Sequence, residues 1–340
     1  MSTVVLIPAY NPDRKLITLV EELKSRYFDI VIVNDGSSQE SAPVFEECGN
    51  SAVVTGYDEN VGKGNALKHG MEYIQENFPG ASAFITADAD GQHSVEDICR
   101  IRDALIDGED FVVSVRNLRK GVPILSRIGN SLSRFMFAVA NARFLPDNQS
   151  GLRGFSTAHI DWMLKVRGLR YDYELNIILI AEKQGIRISN LPIETIYFDN
   201  NSASHFRPFQ DTIRIYMTYF RTNIFVVISI IIEMLLVVLA MILMRLNGVI
   251  LRPSIAMLTI MVNWVIHTVC CQVIERYIMF RWIKYTPGTR RLVISIFKYF
   301  ICMMFCWGCL AVKVPFILAY VVGMILINVG EYYILKVTYD

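Results

Sequence analysis

The sequence predicts an α/β domain built on a mostly parallel sheet, followed by an all-α hydrophobic half. Three observations carry this. Short apolar runs alternate with segments of helical periodicity over the first two hundred residues, the pattern of strand and crossover helix. Three successive strand-like runs end in polar and glycine-rich turns, where open α/β sheets gather ligands. Beyond Asn223 nearly everything is apolar, which lifts the hydrophobic share of the 340 residues to 53%. A net charge of +1 carries no nucleic-acid footprint, so none is expected as a partner. Of the seven cysteines only Cys48 and Cys99 precede the apolar half, and Cys306-Trp-Gly-Cys309 reads as small packing residues in an apolar run, so no disulfides are expected.

The first expected strand, Thr3 to Ile7, leads through Pro8-Ala-Tyr10-Asn11 to a helix that opens after Asn11-Pro12 and carries Leu16, Leu19, Val20 and Leu23 on one face. The second, Asp29 to Val33, ends in Asn34-Asp35-Gly36-Ser37-Ser38. The third, around Ala52 to Thr55, leads to Asn60-Val-Gly62-Lys63-Gly64 and a helix with Leu67, Met71 and Ile74. Those glycines would let the backbone approach an anion at a helix N-terminus, with Lys63 as a point charge; the spacing is not that of a P-loop. The fourth strand, Ala83 to Ile85, gives way to Thr86-Ala-Asp88-Ala-Asp90-Gly-Gln92-His93, and Ser94-Val-Glu-Asp97 then opens a helix with Ile98, Ile101 and Leu105 on one face. Two carboxylates and an amide on a tight turn are the oxygen ligands that a hard divalent cation with a bound diphosphate requires.

After a strand Asp110 to Val115 comes Arg116, then Arg127, Asn130, Ser131 and Arg134, which share one side of a helix and make a cationic face suited to phosphate. The segment Asp147-Asn-Gln149-Ser150-Gly151-Leu-Arg153 follows. A helix from Tyr171 carries Glu174 and Glu182, for which an exposed carboxylate is the default reading.

Taken together, Pro8-Ala-Tyr-Asn11, Asn34-Asp-Gly-Ser-Ser38, Asn60-Val-Gly-Lys-Gly64 and Asp88-Ala-Asp-Gly-Gln-His93 resemble family 2 glycosyltransferases of the dolichol-phosphate mannose synthase and bactoprenol glucosyltransferase type. The resemblance implies a GT-A fold, Rossmann-like. It implies a metal-dependent, inverting transfer of sugar from a UDP- or GDP-linked donor to undecaprenyl or dolichyl phosphate for cell-envelope glycosylation. Pro8, Tyr10, Asn11, Asp35, Lys63 and Asp88 would bind the donor. Asp88, Asp90 and Gln92 would hold Mg²⁺ or Mn²⁺. Arg116, Arg127, Ser131 and Arg153 would hold the acceptor phosphate, and Asp88, Asp90, Arg116 and Arg127 would carry catalysis. A polyprenyl phosphate is largely ionised near neutral pH, so no strong base is required; Glu174 is the candidate if one is used. An enzyme elongating a lipid-linked saccharide, or a lipid-sugar translocator with a nucleotide-binding module, would share many of these features.

The remaining expectations concern the membrane. Residues 1–207 read as a cytosolic catalytic domain, 208–222 as an interfacial amphipathic helix, and 223–340 as four transmembrane helices. The spans are expected near 224–244, 253–273, 292–312 and 315–335, and the loop basic residues put both termini in the cytoplasm. The span pattern loosely resembles GtrA-like membrane domains, implying a multi-pass cell-membrane protein whose membrane domain offers a route to oligomerisation. Glu233, His267 and Lys298 are expected to serve packing between helices or a lipid-phosphate path, and Glu331 to snorkel.

Overall fold

The computed structural model describes residues 2–116, 129, 131–135, 137–138, 144–193, 235, 242, 258, 260–262, 264–265, 289–311 and 315–337. Two compact units divide the chain: Met1–Ser133, Pro146–Glu182 and Ile186–Thr218 form one, and Arg134–Leu145, Lys183–Gly185 and Tyr219–Asp340 the other.

The first unit is organised by strands β1 (Ser2–Ala9), β2 (Asp29–Asp35), β3 (Val53–Tyr57), β4 (Ala81–Thr86), β5 (Phe111–Arg116), β6 (Arg153–Ser156) and β7 (Ile188–Ile193). They form one seven-stranded sheet in the order β3-β2-β1-β4-β6-β5-β7. Val4, Val5, Leu6 and Ile7 of β1 are wholly buried, as befits a central strand covered on both faces. Helices α1 (Lys15–Ser25), α2 (Ala42–Cys48), α3 (Lys63–Asn77) and α4 (Val95–Ile106) connect the strands, and later in the chain come α5 (Ile160–Leu164) and α6 (Tyr171–Gln184). Leu16, Leu19, Val20 and Leu23 of α1 and Ile98, Ile101 and Leu105 of α4 join one apolar core with Ile30, Ile32 and Ile85. Ser94 caps α4 as its motif predicts, its hydroxyl oxygen accepting from the Asp97 N–H at 3.1 Å.

Strand β6 is the feature that the apolar runs did not announce. It runs antiparallel to both neighbours, β4 and β5, while the pairings β1/β2, β1/β4, β2/β3 and β5/β7 are parallel. Its four residues are held by an aromatic stack: Phe155 lies 5.1 Å from Phe84 on β4 and 4.5 Å from Phe111 on β5, centroid to centroid. Because β6 is reversed, its first residue, Arg153, pairs with Thr86, the last of β4. The segment ahead of β6 is thereby delivered to the carboxyl end of β4.

In the second unit, α7 (Thr289–Ala311) and α8 (Phe316–Val337) bury Tyr299, Cys302, Cys306, Ala319 and Tyr320 in a cluster with Ile260. This corrects the membrane expectations. Among the described residues no helix is long and apolar enough to cross a membrane. With 23 and 22 residues, α7 and α8 have the length of a span. The GtrA-like four-helix transmembrane domain, the architecture pairing it with a GT-A domain, the multi-pass localisation, the membrane as a partner and oligomerisation through a membrane domain therefore lack, among the described residues, the element on which all of them rested; most of the expected spans 224–244 and 253–273 lies outside those residues. Glu233, His267 and the expected interfacial helix lie outside the described residues.

Candidate active site

Four strand and helix ends meet at one edge of the sheet. At the end of β2, Asp35 is buried and gathers the turn between β3 and α3. Its carboxylate accepts from the Tyr57 hydroxyl at 2.7 Å, from Asn60 Nδ2 at 3.0 Å, and from the backbone N–H groups of Val61 and Gly62 at 3.1 and 3.0 Å. Gly62 has φ 122°, and a Cβ there would lie 2.6 Å from the Leu169 carbonyl, so the turn demands glycine twice over. Beside it, Asn11 adopts φ 46°, a conformation that asparagine tolerates. Its backbone N–H donates to Ser37 Oγ at 2.9 Å and its side-chain oxygen accepts from the Ser38 N–H at 2.8 Å, which ties the β1 turn to the β2 turn. Tyr10 is exposed on this rim and Pro8 is half-buried.

Asp88, just past β4, is the centre of charge. Lys63, the first residue of α3, brings its ammonium to 2.7 Å from Asp88 Oδ1 and to 2.9 Å from Glu174 Oε2. His93 Nε2 stands 3.3 Å from Asp88 Oδ2. Burial alone would push the Asp88 carboxyl up, but Lys63 and His93 outweigh it and hold it well below the usual carboxylate range. Burial likewise opposes the charge on Lys63, and Asp88 and Glu174 together hold that ammonium above the ordinary lysine value. Asp90 differs. Burial first and the charge of Asp88 second raise its carboxyl, against a backbone hydrogen bond from Gln92 to Oδ1 at 3.0 Å. Gly151 closes the other side: a Cβ there would sit 2.4 Å from Asp88 Oδ2 and 2.8 Å from Lys63 Nζ.

Arg153 is 1% exposed, within the interior rather than on the acceptor face. Its Nε donates to the Ser150 carbonyl at 2.7 Å and its Nη1 to the Glu174 carbonyl at 2.6 Å, so it locks the loop before β6 to α6. Glu174 is buried, contrary to the exposed default, and its Oε1 has no hydrogen-bond partner. Thr86, Arg153, Tyr173 and Glu174 line a small internal cavity. Arg116, at the end of β5, makes a bidentate pair with Asp147, 2.7 Å from Nε to Oδ2 and 3.1 Å from Nη2 to Oδ1. Burial opposes the Asp147 charge, yet Arg116 holds that carboxyl below its usual range. Ser131 is half-buried in the helical residues 131–135, and Arg127 lies outside the described residues.

The structure thus gathers Asp35, Lys63, Asp88, Asp90 and Gln92 at one edge, pairs a partly exposed Arg116 with Asp147 and buries Arg153. Sequence reasoning assigned no role to His93 or Asp147; the signal for both was present as a polar residue inside a motif already singled out. Among the described residues no group of three or more His, Cys, Asp or Glu side chains is arranged to hold a metal ion. Two carboxylates at this spacing, with one pushed toward protonation by the other, do fit a cation that takes its remaining ligands from phosphate and water.

Comparison with known proteins agrees with this geometry. Residues 4–157 match the family model described as glycosyl transferase family 2. An uncharacterized protein of Methanocaldococcus jannaschii is 32% identical over 200 residues, covering 57% of this chain and 81% of that protein. The UDP-N-acetylglucosamine–dolichyl-phosphate N-acetylglucosaminyltransferase of Methanococcus voltae is 28% identical over 221 residues, 58% of this chain and 87% of the relative. Among solved structures, glucosyl-3-phosphoglycerate synthase from Mycobacterium tuberculosis, in complex with Mn²⁺, UDP-glucose and phosphoglyceric acid, superposes with a TM-score of 0.50 at 15% identity, over 65% of this chain and 79% of that one. That likeness is one of fold.

Proposed function

The chain belongs to glycosyl transferase family 2, and from that premise we propose that it moves a sugar from a nucleotide-sugar donor, UDP- or GDP-linked, to a polyprenyl phosphate, with inversion at the anomeric carbon. The observation that carries the reading is the Asp88/Asp90 pair at the carboxyl end of β4, where Asp90 is pushed up by burial and by its neighbour's charge. A site that concentrates negative charge beside one shared lysine is suited to a diphosphate that arrives with a cation. Asp88 and Asp90, with Gln92 alongside, would hold Mg²⁺ or Mn²⁺, which when bound supplies Lewis-acid stabilisation of the departing diphosphate. Asp35 fixes the turn from Asn60 to Gly62 against which the nucleoside would lie, and the turns at Asn11 and Ser37 frame the same rim. Arg153 and Gly151 keep the loop before β6 against Asp88, so that its backbone rather than a side chain faces the reacting centre. The relative from Methanococcus voltae uses a dolichyl phosphate acceptor by its name, which supports the acceptor class. Such an acceptor attacks as an anion and needs no deprotonation, in keeping with a Glu174 committed to Lys63.

The test offers the purified full chain a polyprenyl phosphate, Mn²⁺ or Mg²⁺ and a panel of labelled nucleotide sugars, and follows label into the organic phase. Transfer from one donor, abolished by chelator, is the expected result. No transfer from any donor, with nucleotide binding still measurable, would overturn the acceptor assignment.

A further inference from the structure

Lys63 stands where a metal ion would compete with it. Its ammonium is 2.7 Å from Asp88 Oδ1, a distance of full contact, and a divalent cation approaching that oxygen must either displace the ammonium or suffer its repulsion. The structure holds a place for the displaced group. Glu174 Oε2 already shares the ammonium at 2.9 Å, and Glu174 Oε1 is a buried acceptor with no hydrogen-bond partner. A buried carboxylate oxygen left without a donor is costly, and an N–H from Lys63 would relieve it. Glu174 itself is held in register through its backbone, whose carbonyl accepts from the buried Arg153 at 2.6 Å.

We propose that Glu174 is a positioning residue for the cation site: it shares the Lys63 ammonium with Asp88 and takes it over when a divalent cation binds at Asp88. This rests on the reading of Asp88 and Asp90 as cation ligands. It gives Glu174 a task other than that of a base, since its charge acts through Lys63.

The experiment measures Mn²⁺ binding to the purified full chain by electron paramagnetic resonance of the free ion, with UDP or GDP present, and requires no turnover. Replacing Glu174 by Gln leaves Lys63 with Asp88 as its one charged partner of the two and is expected to weaken Mn²⁺ binding about tenfold, a typical coupling between two sites. The double replacement Lys63→Met/Glu174→Gln removes competitor and parking place together at unchanged net charge, and is expected to restore binding to within about threefold of the unaltered protein. Glu174→Asp, which keeps the charge, serves if the Gln variant does not fold, and is expected to bind Mn²⁺ within about threefold of the unaltered protein; a loss of about tenfold there would overturn a role carried by the charge. Unchanged Mn²⁺ affinity in Glu174→Gln, or a double variant as weak as the single one, would overturn the proposal while leaving the cation site intact. Absence of Mn²⁺ binding by the unaltered protein with either nucleotide would overturn the cation site itself.

Discussion

Two ionic clusters stand at strand ends of the same sheet, and they are built on opposite plans. In the Arg116–Asp147 pair each group is matched: a bidentate guanidinium meets a carboxylate that also accepts the Gln149 N–H at 3.0 Å. Around Lys63 the ledger of charge is uneven, because Asp88 and Glu174 share its ammonium and Asp90 stands beside them with a backbone amide as partner. A matched pair fixes a loop. A group of carboxylates bridged by one lysine carries more negative than positive charge, which suits it to receive a cation. The contrast sets a matched pair, Arg116 with Asp147, against a lysine shared by two carboxylates.

The largest effect that can break this contrast comes from Asp90. Replacing it by Asn removes a charge that burial and Asp88 already disfavour, so the folded protein should be no less stable at neutral pH. Transfer should nevertheless fall by about 10²–10³-fold, the scale seen when one group stabilising transition-state charge is removed. Steady-state transfer together with thermal unfolding checks both halves. Full activity in the variant would mean that Asp90 takes no part in handling the diphosphate.

How far this contrast was legible in the sequence differs between its two sides. Asp35 ends β2, Asp88 and Asp90 come just after β4, and Lys63 opens the helix after the glycine-rich turn that follows β3, so each can be read locally from a strand and the polar turn beside it. The partners that decide what each charge does are remote: Glu174 reaches Lys63 from α6, and Asp147 reaches Arg116 from 31 positions further along the chain. No periodicity announces such a meeting. Strand β6 escaped for a similar reason, since Arg153–Ser156 has only Phe155 as a large apolar residue and is a strand because β4 and β5 flank it. Strand β7 (Ile188–Ile193) carries a proline that sequence alone would read as a strand breaker. That residue, Pro192, is accommodated because β7 stands at the edge of the sheet, where a missing N–H is tolerated. The apolar second half misled in the other direction, because high hydrophobic content was read as spans.

A smaller effect sharpens the anchor side. Asp147→Ala leaves the Arg116 guanidinium and the Gln149 N–H without their acceptor, and should cost about 2–3 kcal/mol at neutral pH, below the full cost of breaking a buried pair because Arg116 is partly exposed. The pH dependence has a definite sign. Arg116 depresses the folded-state pKa of Asp147, so the stability it contributes is present above the unfolded carboxyl value and is lost as pH falls through the folded one. The difference between the unaltered protein and the variant should thus shrink below about pH 4. Denaturant unfolding at a series of pH values measures it, and a gap that is constant into acid would assign the loss to packing rather than charge.

The smallest effect tests whether the turn from Asp88 to His93 depends on the helix that follows it. Ser94 closes that turn: its hydroxyl oxygen accepts from the Asp97 N–H at 3.1 Å while its proton goes to Asp97 Oδ2 at 2.9 Å. Ser94→Ala removes both bonds and should cost about 1 kcal/mol, the usual worth of an N-cap. Asp88 does not rely on that cap for its position, since Lys63 and His93 hold its two oxygens and Gly151 closes over them. Transfer should accordingly stay within about twofold of the unaltered protein, a change too small to represent a lost transition-state contact. Paired measurement of unfolding and transfer distinguishes the cases: a loss of activity matching that of Asp90→Asn would mean that α4, and not the charges around Lys63, holds the carboxylates in place.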